Sequence, residues 1–259
     1  EAALFPLHGW LPDTYVYAPT PAAGFIAAVM AKVSAYALLR LLGETLATTE
    51  AGAVVLDVTL WLGVFGVLTG GIFAAAQREV TRMLAWSSVS AMGMILIGVG
   101  IGSPLAITGV LYHMVAHALA NGCLFFGAGG IRMLSGTDGL ERWSGLGPRA
   151  PWIFVALTVA ALSMIGIPPT AGFFSKYYLL SASIGADGPA GIAAFAAIIV
   201  SSLLATIYFL RVLEIAWFRP SPDSPILSNG VSSDRTPQGP CRVLPRSLAL
   251  PVLGLAVLV

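Results

Sequence analysis

The stretch that decides the fold is AALSMIGIPPTAGFFSKYYLL, residues Ala160 to Leu180. It is apolar and long enough to enter a lipid bilayer, for which a helix needs about 20 residues. Pro168 and Pro169 interrupt it, and prolines remove backbone donors and disfavour the helical conformation of the residue before them. We therefore predict two half-helices joined by irregular backbone, which at membrane depth must face protein or water.

Lys176 follows this break within the same apolar run. A lysine at membrane depth costs about 2.5–3.5 kcal/mol on insertion scales, so a buried lysine is a functional candidate. The alternative is a simple proline kink, with the Lys176 amine extending to the membrane interface.

The composition is that of a membrane protein. Hydrophobic residues make up 57% and charged residues 10% of the 259-residue chain, whereas a soluble domain has about 25% charged residues. A net charge of +1 gives no basic surface for nucleic acid. Cys123 and Cys241 alone indicate neither a disulfide framework nor a metal site.

Six apolar segments have spanning length, and short loops separate them, which predicts an all-α, polytopic transmembrane helix bundle. They are Ala22–Leu42, Val55–Ala76, Leu84–Ile101, Leu105–Ile131, Trp152–Leu180 and Gly191–Phe218. We expect a transmembrane domain over residues 1–218, a flexible cytoplasmic loop over 219–246, and the start of a further helix over 247–259. Since the chain opens and stops inside apolar helices, we expect a fragment, the C-terminal part of a longer bundle.

Basic residues predict the orientation of the bundle. Alternating spans place nine arginines on one side and only Arg40 on the other. Because cytoplasmic loops carry an excess of Lys and Arg, the arginine-rich side is expected to be cytoplasmic. Lys176 then lies in the outer half, beyond the break. The nine are Arg78, Arg82, Arg132, Arg142, Arg149, Arg219, Arg235, Arg242 and Arg246.

Lys32 is the second lysine of the chain and lies about 10 residues into its span, near mid-depth at 1.5 Å per residue. One interpretation is a structural salt bridge inside the bundle. The other is a group that gains and loses a proton during transport.

His113, His117 and Asn121 follow one another at intervals of four residues, which forms a polar stripe on an apolar helix. We favour a proton relay, since imidazole titrates near neutral pH. A packing role is the first alternative. A zinc pair is a weaker one, because no further ligands are evident, and we expect no metal.

Several blocks of the sequence occur together and in order. They are FPLHGWLPDTYVYAPTP, AAVMAKVSAYALLR, QREVTRMLAWSSVSAMG, YHMVAHALANGCLFFGAGGI and IGIPPTAGFFSKYYLL. Together they resemble the proton-conducting transporter family, which comprises the antiporter-like membrane subunits of respiratory complex I and the large subunits of Mrp-type cation/proton antiporters. The resemblance covers Glu1 to Phe218 and implies an antiporter-like fold of inverted repeats, each with one broken helix.

The resemblance also implies the roles of individual residues. Lys32 matches the lysine in the helix after the first broken helix, and His117 matches the central histidine of the relay. His113 matches a histidine present one turn earlier in some members. Lys176 matches the lysine of the second broken helix, which exchanges protons with the outside.

Two secondary candidates depart from the family pattern. Asn121 stands where some complex I subunits have a lysine. Glu1 stands where the first broken helix usually carries one, which leaves two alternatives: the match at this edge is displaced by one turn, or the first site is modified.

We expect a multi-pass subunit of the cell membrane that moves protons, in exchange for Na⁺ in an Mrp-type antiporter. The sequence looks closest to the D-type large subunit of that assembly, with other membrane subunits as partners. The first alternative is an antiporter-like subunit of a complex I-type quinone oxidoreductase, and the second is a structural scaffold whose buried charges only pair. The sequence carries no nucleotide loop, haem motif or cysteine cluster, so no cofactor is expected.

Overall fold

The computed structural model describes residues 5–46, 50–136, 138–148, 150–186, 188–220 and 246–259. Across these ranges the regular structure is helical, apart from an isolated antiparallel bridge between Glu79 and Gly139. The α-helices are α1 (Trp10–Tyr17), α2 (Thr20–Phe25), α3 (Ala31–Arg40), α4 (Glu50–Ala76), α5 (Val80–Ile101), α6 (Pro104–Ser135), α7 (Pro151–Ile165), α8 (Ala171–Ile184), α9 (Pro189–Phe218) and α10 (Arg246–Leu258).

Five segments of the described chain are long and apolar enough to cross a membrane, namely Thr20–Gly43, Gly52–Ala76, Val80–Ile101, Pro104–Met133 and Pro189–Phe218. Helices α7 and α8 together occupy the remaining predicted span, and α10 begins beside the predicted start of the last helix. The protein is thus an all-α, multi-pass membrane protein, which confirms the predicted fold class. The predicted loop lies almost entirely outside the described residues.

The break between α7 and α8 has the predicted form. Helix α7 ends at Ile165, and Gly166 adopts a left-handed φ of 92°, a conformation that glycine adopts without steric cost. In a continuous helix, the carbonyls of Met164 and Ile165 would accept from the residues four positions later. Those residues are Pro168 and Pro169, which have no N–H, so two carbonyls at the end of α7 are left for other donors.

Several helices extend beyond the predicted spans. Helix α4 begins at Glu50 and α5 at Val80, which is four to five residues before the predicted starts. Helix α6 continues to Ser135 and stops at Gly136, whose φ of 76° ends the helix. The predicted spans were too short because they counted only apolar residues, whereas a helix can continue through polar residues at the membrane interface.

Helices α5 and α6 form the centre of the bundle. Within an 18-residue apolar stretch of each span, 83% of residues are buried in α5 and 78% in α6, against 39% in α4 and in α9. Helix α4 approaches α5 closely because small residues face each other: a Cβ added to Gly70 would collide with the backbone of Ser90, and one added to Gly93 with that of Val67. The central pair therefore carries the polar side chains away from lipid.

The first span is less regular than its sequence predicts. Two π-helical turns, Ile26–Met30 and Leu41–Leu46, interrupt it on either side of α3. Before it, α1 ends at Tyr17 and α2 begins after Pro19, so the proline-rich segment is a short helix followed by a turn. π-Helical turns are rare and often occur at functional sites.

Candidate functional site

His113 and His117 lie one turn apart on α6 and are both buried. Their ring centroids are 5.8 Å apart. The His113 Nδ1 atom lies 3.1 Å from the Ser175 hydroxyl of α8, and Ser175 donates to the carbonyl of Gly172 at 2.8 Å. The histidine stripe is therefore fastened to the half-helix that carries Lys176.

The Lys176 amine is buried at the break between the half-helices, with 6% of the residue exposed. Its Nζ donates to the carbonyls of Met164 and Ile165, each at 2.8 Å, and lies 3.2 Å from the Ser202 hydroxyl of α9. These carbonyls are the two that the prolines leave free. The break and the lysine thus form one unit, in which irregular backbone supplies the polar partners of a buried amine.

A small cavity, which we call the polar cavity, joins His113, His117 and Lys176. About 30 Å³ of it can be reached by the centre of a water molecule, which is room for one or two waters. The His113 Nε2 atom and both ring nitrogens of His117 have no hydrogen-bond partner among the described residues. Five hydroxyl-bearing residues also line the cavity: Ser87, Ser90, Ser163, Ser201 and Tyr208.

Lys32 belongs to a second cluster, outside the lining of the polar cavity. Its Nζ donates to the carbonyl of Ala27 in the π-helical turn Ile26–Met30. The Asn121 side chain donates to the same carbonyl at 3.2 Å and to the Ser88 hydroxyl at 3.1 Å. Since Asn121 lies one turn beyond His117 on α6, the two clusters adjoin along that helix.

In the described part of the chain, no carboxylate lies within 4.0 Å of the amine of Lys32 or Lys176. The salt-bridge interpretation of Lys32 therefore finds no partner among these residues. Glu1 lies outside the described residues, so its predicted role stays a prediction.

Sequence reasoning missed the hydroxyl groups around the histidines and lysines. The signal was present, because Ser87, Ser88 and Ser90 fall in WSSVS, and Ser201 and Ser202 are adjacent in an apolar span. Serine within a membrane helix commonly bonds to its own backbone, so these serines did not by themselves indicate a site. The structure shows that Ser90 also bonds to Ser201, at 3.2 Å, between α5 and α9.

A second cavity, which we call the apolar cavity, adjoins the polar one toward the end of the bundle that carries Arg82 and Arg132. Helices α5, α6, α7 and α9 line both cavities. On each of them the residues that line the apolar cavity, such as Leu84 of α5 and Val212 of α9, lie closer to the end with Arg82 and Arg132 than those that line the polar cavity. The Trp143 side chain also lines it, and its buried indole N–H has no partner among the described residues. The polar cavity is thus separated from the charged end by an apolar layer.

At the charged end, Arg132 pairs with Asp138 at 3.1 Å. Burial raises the pKa of the Asp138 carboxyl above its usual value, while the charge of Arg132 and a hydrogen bond with Thr81 act in the opposite direction. Nearby, Arg82 contacts Glu79 at 3.2 Å. The first pair fastens the loop after α6 to the end of that helix, and the second lies at the start of α5.

The arrangement offers proton chemistry. No third His, Cys, Asp or Glu side chain joins the histidine pair among the described residues. Imidazoles, amines and hydroxyls around a small water-sized cavity can pass protons by reorienting hydrogen bonds.

Three comparisons relate the chain to known proteins. The transmembrane family described as "NADH:quinone oxidoreductase/Mrp antiporter, TM" matches residues 1–204. NADH-quinone oxidoreductase subunit N of Desulforudis audaxviator is 46% identical over 264 residues, covering 99% of this chain and 50% of the relative. The chain therefore spans about half the length of that curated relative.

Two solved structures share the fold. In the Mrp complex of Dietzia sp. DQ12-45-1b, the matched chain is 26% identical with a TM-score of 0.84, and the match covers 99% of this chain and 52% of that one. In respiratory complex I of Thermus thermophilus, the matched chain is 27% identical with a TM-score of 0.74, at the same coverage.

Proposed function

The chain belongs to the NADH:quinone oxidoreductase/Mrp antiporter transmembrane family, and on that premise we propose that it carries protons within a membrane assembly. The observation that supports this proposal best is the polar cavity, around which His113, His117 and Lys176 converge. Buried ionisable residues facing a cavity inside a membrane bundle are typical of proton pathways.

We assign the roles in order along the bundle. Lys32, held by the Ala27 carbonyl beside Asn121, is the inner carrier. His117 and His113 pass the proton along α6, and Lys176 at the break is the group that releases it. The Ser175 hydroxyl supports this order, because it touches His113 and precedes Lys176 in the same half-helix.

Two kinds of assembly fit this function. One is an Mrp-type antiporter that exchanges protons for Na⁺, and the other is a complex I-type quinone oxidoreductase in which other subunits perform the redox chemistry. The 46% identity to a subunit N favours the complex I-type assembly. In both, the partners are further membrane subunits, and this chain supplies the proton path.

Co-purification separates the two assemblies. The full-length subunit, tagged and isolated in mild detergent, is expected to bring flavin and iron–sulfur subunits with it if the assembly is of the complex I type. Recovery of small antiporter subunits, with neither flavin nor iron–sulfur absorption, would assign it to the Mrp type.

The proton function is tested at Lys176. Lys176→Ala is expected to abolish transport in membrane vesicles while the amount of assembled complex stays unchanged. Lys176→Glu is expected to retain part of the transport, because a carboxylate can also titrate there. If the Ala variant assembles poorly but transports normally per complex, the scaffold interpretation is correct and the proton role is wrong.

We further propose that the arginine-rich end faces the cytoplasm. Glu141, in the exposed loop at that end, offers a test as Glu141→Cys with Cys241→Ser in the full-length subunit. A membrane-impermeant maleimide is expected to label this cysteine only after the cells are permeabilised. Labelling of intact cells would reverse the orientation.

A further inference from the structure

The described part of the chain supplies three hydrogen-bonding groups to the Lys176 amine, and they differ in whether they can donate. Two are the carbonyls of Met164 and Ile165, which can only accept hydrogen bonds. The third is the Ser202 hydroxyl, which can accept or donate. A protonated amine has three N–H donors, and all three contacts accept from it.

Loss of the proton changes this balance. A neutral amine has two N–H groups and one lone pair, and a buried lone pair without a donor costs free energy. Neither carbonyl can supply a donor. Among the described residues that hydrogen-bond to the Lys176 amine, only Ser202 can, through its hydroxyl.

The Ser202 hydroxyl is free to make that change. It now donates to the carbonyl of Ile198, at 3.1 Å, one turn earlier in α9. That carbonyl also lies within a continuous helix, where the backbone N–H four residues later is its regular partner. Rotation of the Ser202 hydroxyl toward Lys176 therefore leaves no carbonyl without a donor.

We infer that Ser202 is a positioning residue that holds the Lys176 amine in both protonation states, accepting from the ammonium and donating to the neutral amine. The inference rests on the proposed function, in which Lys176 gains and loses a proton. The titratable groups that face Lys176 across the polar cavity are His113 and His117 of α6 and Tyr208 of α9. Helices α5 and α7 contribute only serine, alanine and methionine side chains to that cavity.

Three variants of the full-length subunit, in its membrane assembly, test the inference. Ser202→Ala removes the hydroxyl, Ser202→Thr keeps it, and Ser202→Cys weakens it at similar size. The control is Thr206→Val on the same helix, because Thr206 donates to the carbonyl of Ser202 and has no hydrogen bond to Lys176.

We expect Ser202→Ala to slow proton transport by about tenfold, the effect of one hydrogen bond to a charged group. We also expect it to change the pH dependence of the rate. For Ser202→Thr and the control we expect a transport rate within about twofold of the parental rate and an unchanged pH dependence. The rate of Ser202→Cys is expected to lie between those of Ser202→Ala and Ser202→Thr. If Ser202→Ala does not assemble, the comparison of Ser202→Thr with Ser202→Cys tests the inference, which predicts slower transport in the Cys variant.

The outcomes separate this inference from the proposed function. If Ser202→Ala transports protons at the parental rate and with the parental pH dependence, while Lys176→Ala transports none, the role of Ser202 is wrong and the proposed function stands. The same holds if Ser202→Thr is as slow as Ser202→Ala, since the effect would then come from packing. Normal transport in Lys176→Ala would instead overturn the proposed function.

Discussion

Lys32 and Asn121 donate hydrogen bonds to one oxygen, the main-chain carbonyl of Ala27, although they lie on different spans. This shared acceptor ties the first span to the centre of α6. It also gives the buried Lys32 amine an uncharged partner. The local chemistry of the inner cluster therefore depends on Asn121 being uncharged.

The first prediction concerns this neutrality. Asn121→Asp is expected to form a buried ion pair with Lys32, which would hold the ammonium in place and lower proton transport by at least about tenfold. Asn121→Ser, which stays neutral and can still donate, is expected to lose much less. The measurement is proton uptake into vesicles that contain equal amounts of assembled complex. Parental transport in the Asp variant would show that Lys32 is not a carrier.

The contact between His113 and Ser175 gives the second prediction. Ser175→Ala removes the hydroxyl 3.1 Å from His113, and transport is expected to fall by about three- to tenfold through loss of one hydrogen bond. Ser183→Ala is the matched control, since Ser183 is also buried on α8 but bonds to the Leu179 carbonyl of its own helix. Equal rates in the two variants would contradict a role for the contact.

The third prediction concerns the close approach of α8 to α7. A Cβ on Gly172 would collide with the carbonyl of Ser163, whose hydroxyl also accepts from the Gly172 N–H at 3.2 Å. Gly172→Ala is expected to push the half-helices apart, at a cost of about 1–3 kcal/mol, and to lower the thermal stability of the assembly. Gly185→Ala, whose nearest neighbouring atom would be 3.6 Å away, should have little effect. Unfolding temperatures of the two purified variants check this.

The fourth prediction is a pH dependence of stability at the charged end. Because the pKa of Asp138 is raised in the folded protein, chiefly by burial, the folded state binds this proton more tightly than the unfolded one. Stability is gained as the pH falls through the folded pKa, and the ionised form costs stability above it.

Asp138→Asn mimics the protonated side chain, so it is expected to match or exceed the parent in unfolding temperature at pH about 8 and to lose that advantage at pH about 4. Arg132 is 45% exposed and can be solvated in the variant. Glu141→Gln, in the same loop, serves as the control for a general charge effect. A lower unfolding temperature of Asp138→Asn at pH about 8 would show that the ion pair outweighs burial.

Sequence predicted the features that follow from local chemistry. The break was predictable because Pro168 and Pro169 lack an N–H wherever they occur, and the spans followed from apolar length. The partners of Lys176 were not predictable in full, since Ser202 reaches it from another helix. The sharing of Ala27 by Lys32 and Asn121 depends on residues 94 positions apart and on a π-helical turn without a local signal.

The apolar cavity between the histidines and the charged end affects how the membrane voltage is distributed across the bundle. Apart from the Trp143 indole, the lining of this cavity is apolar, and an apolar layer has a low dielectric constant, so part of the transmembrane voltage falls across it. One elementary charge moved through the whole potential changes in energy by about 2.3 kcal/mol per 100 mV. A proton that passes from the charged end to His117 therefore crosses part of the field before it reaches Lys176. The rate of loading the histidines should respond to voltage as well as to proton concentration.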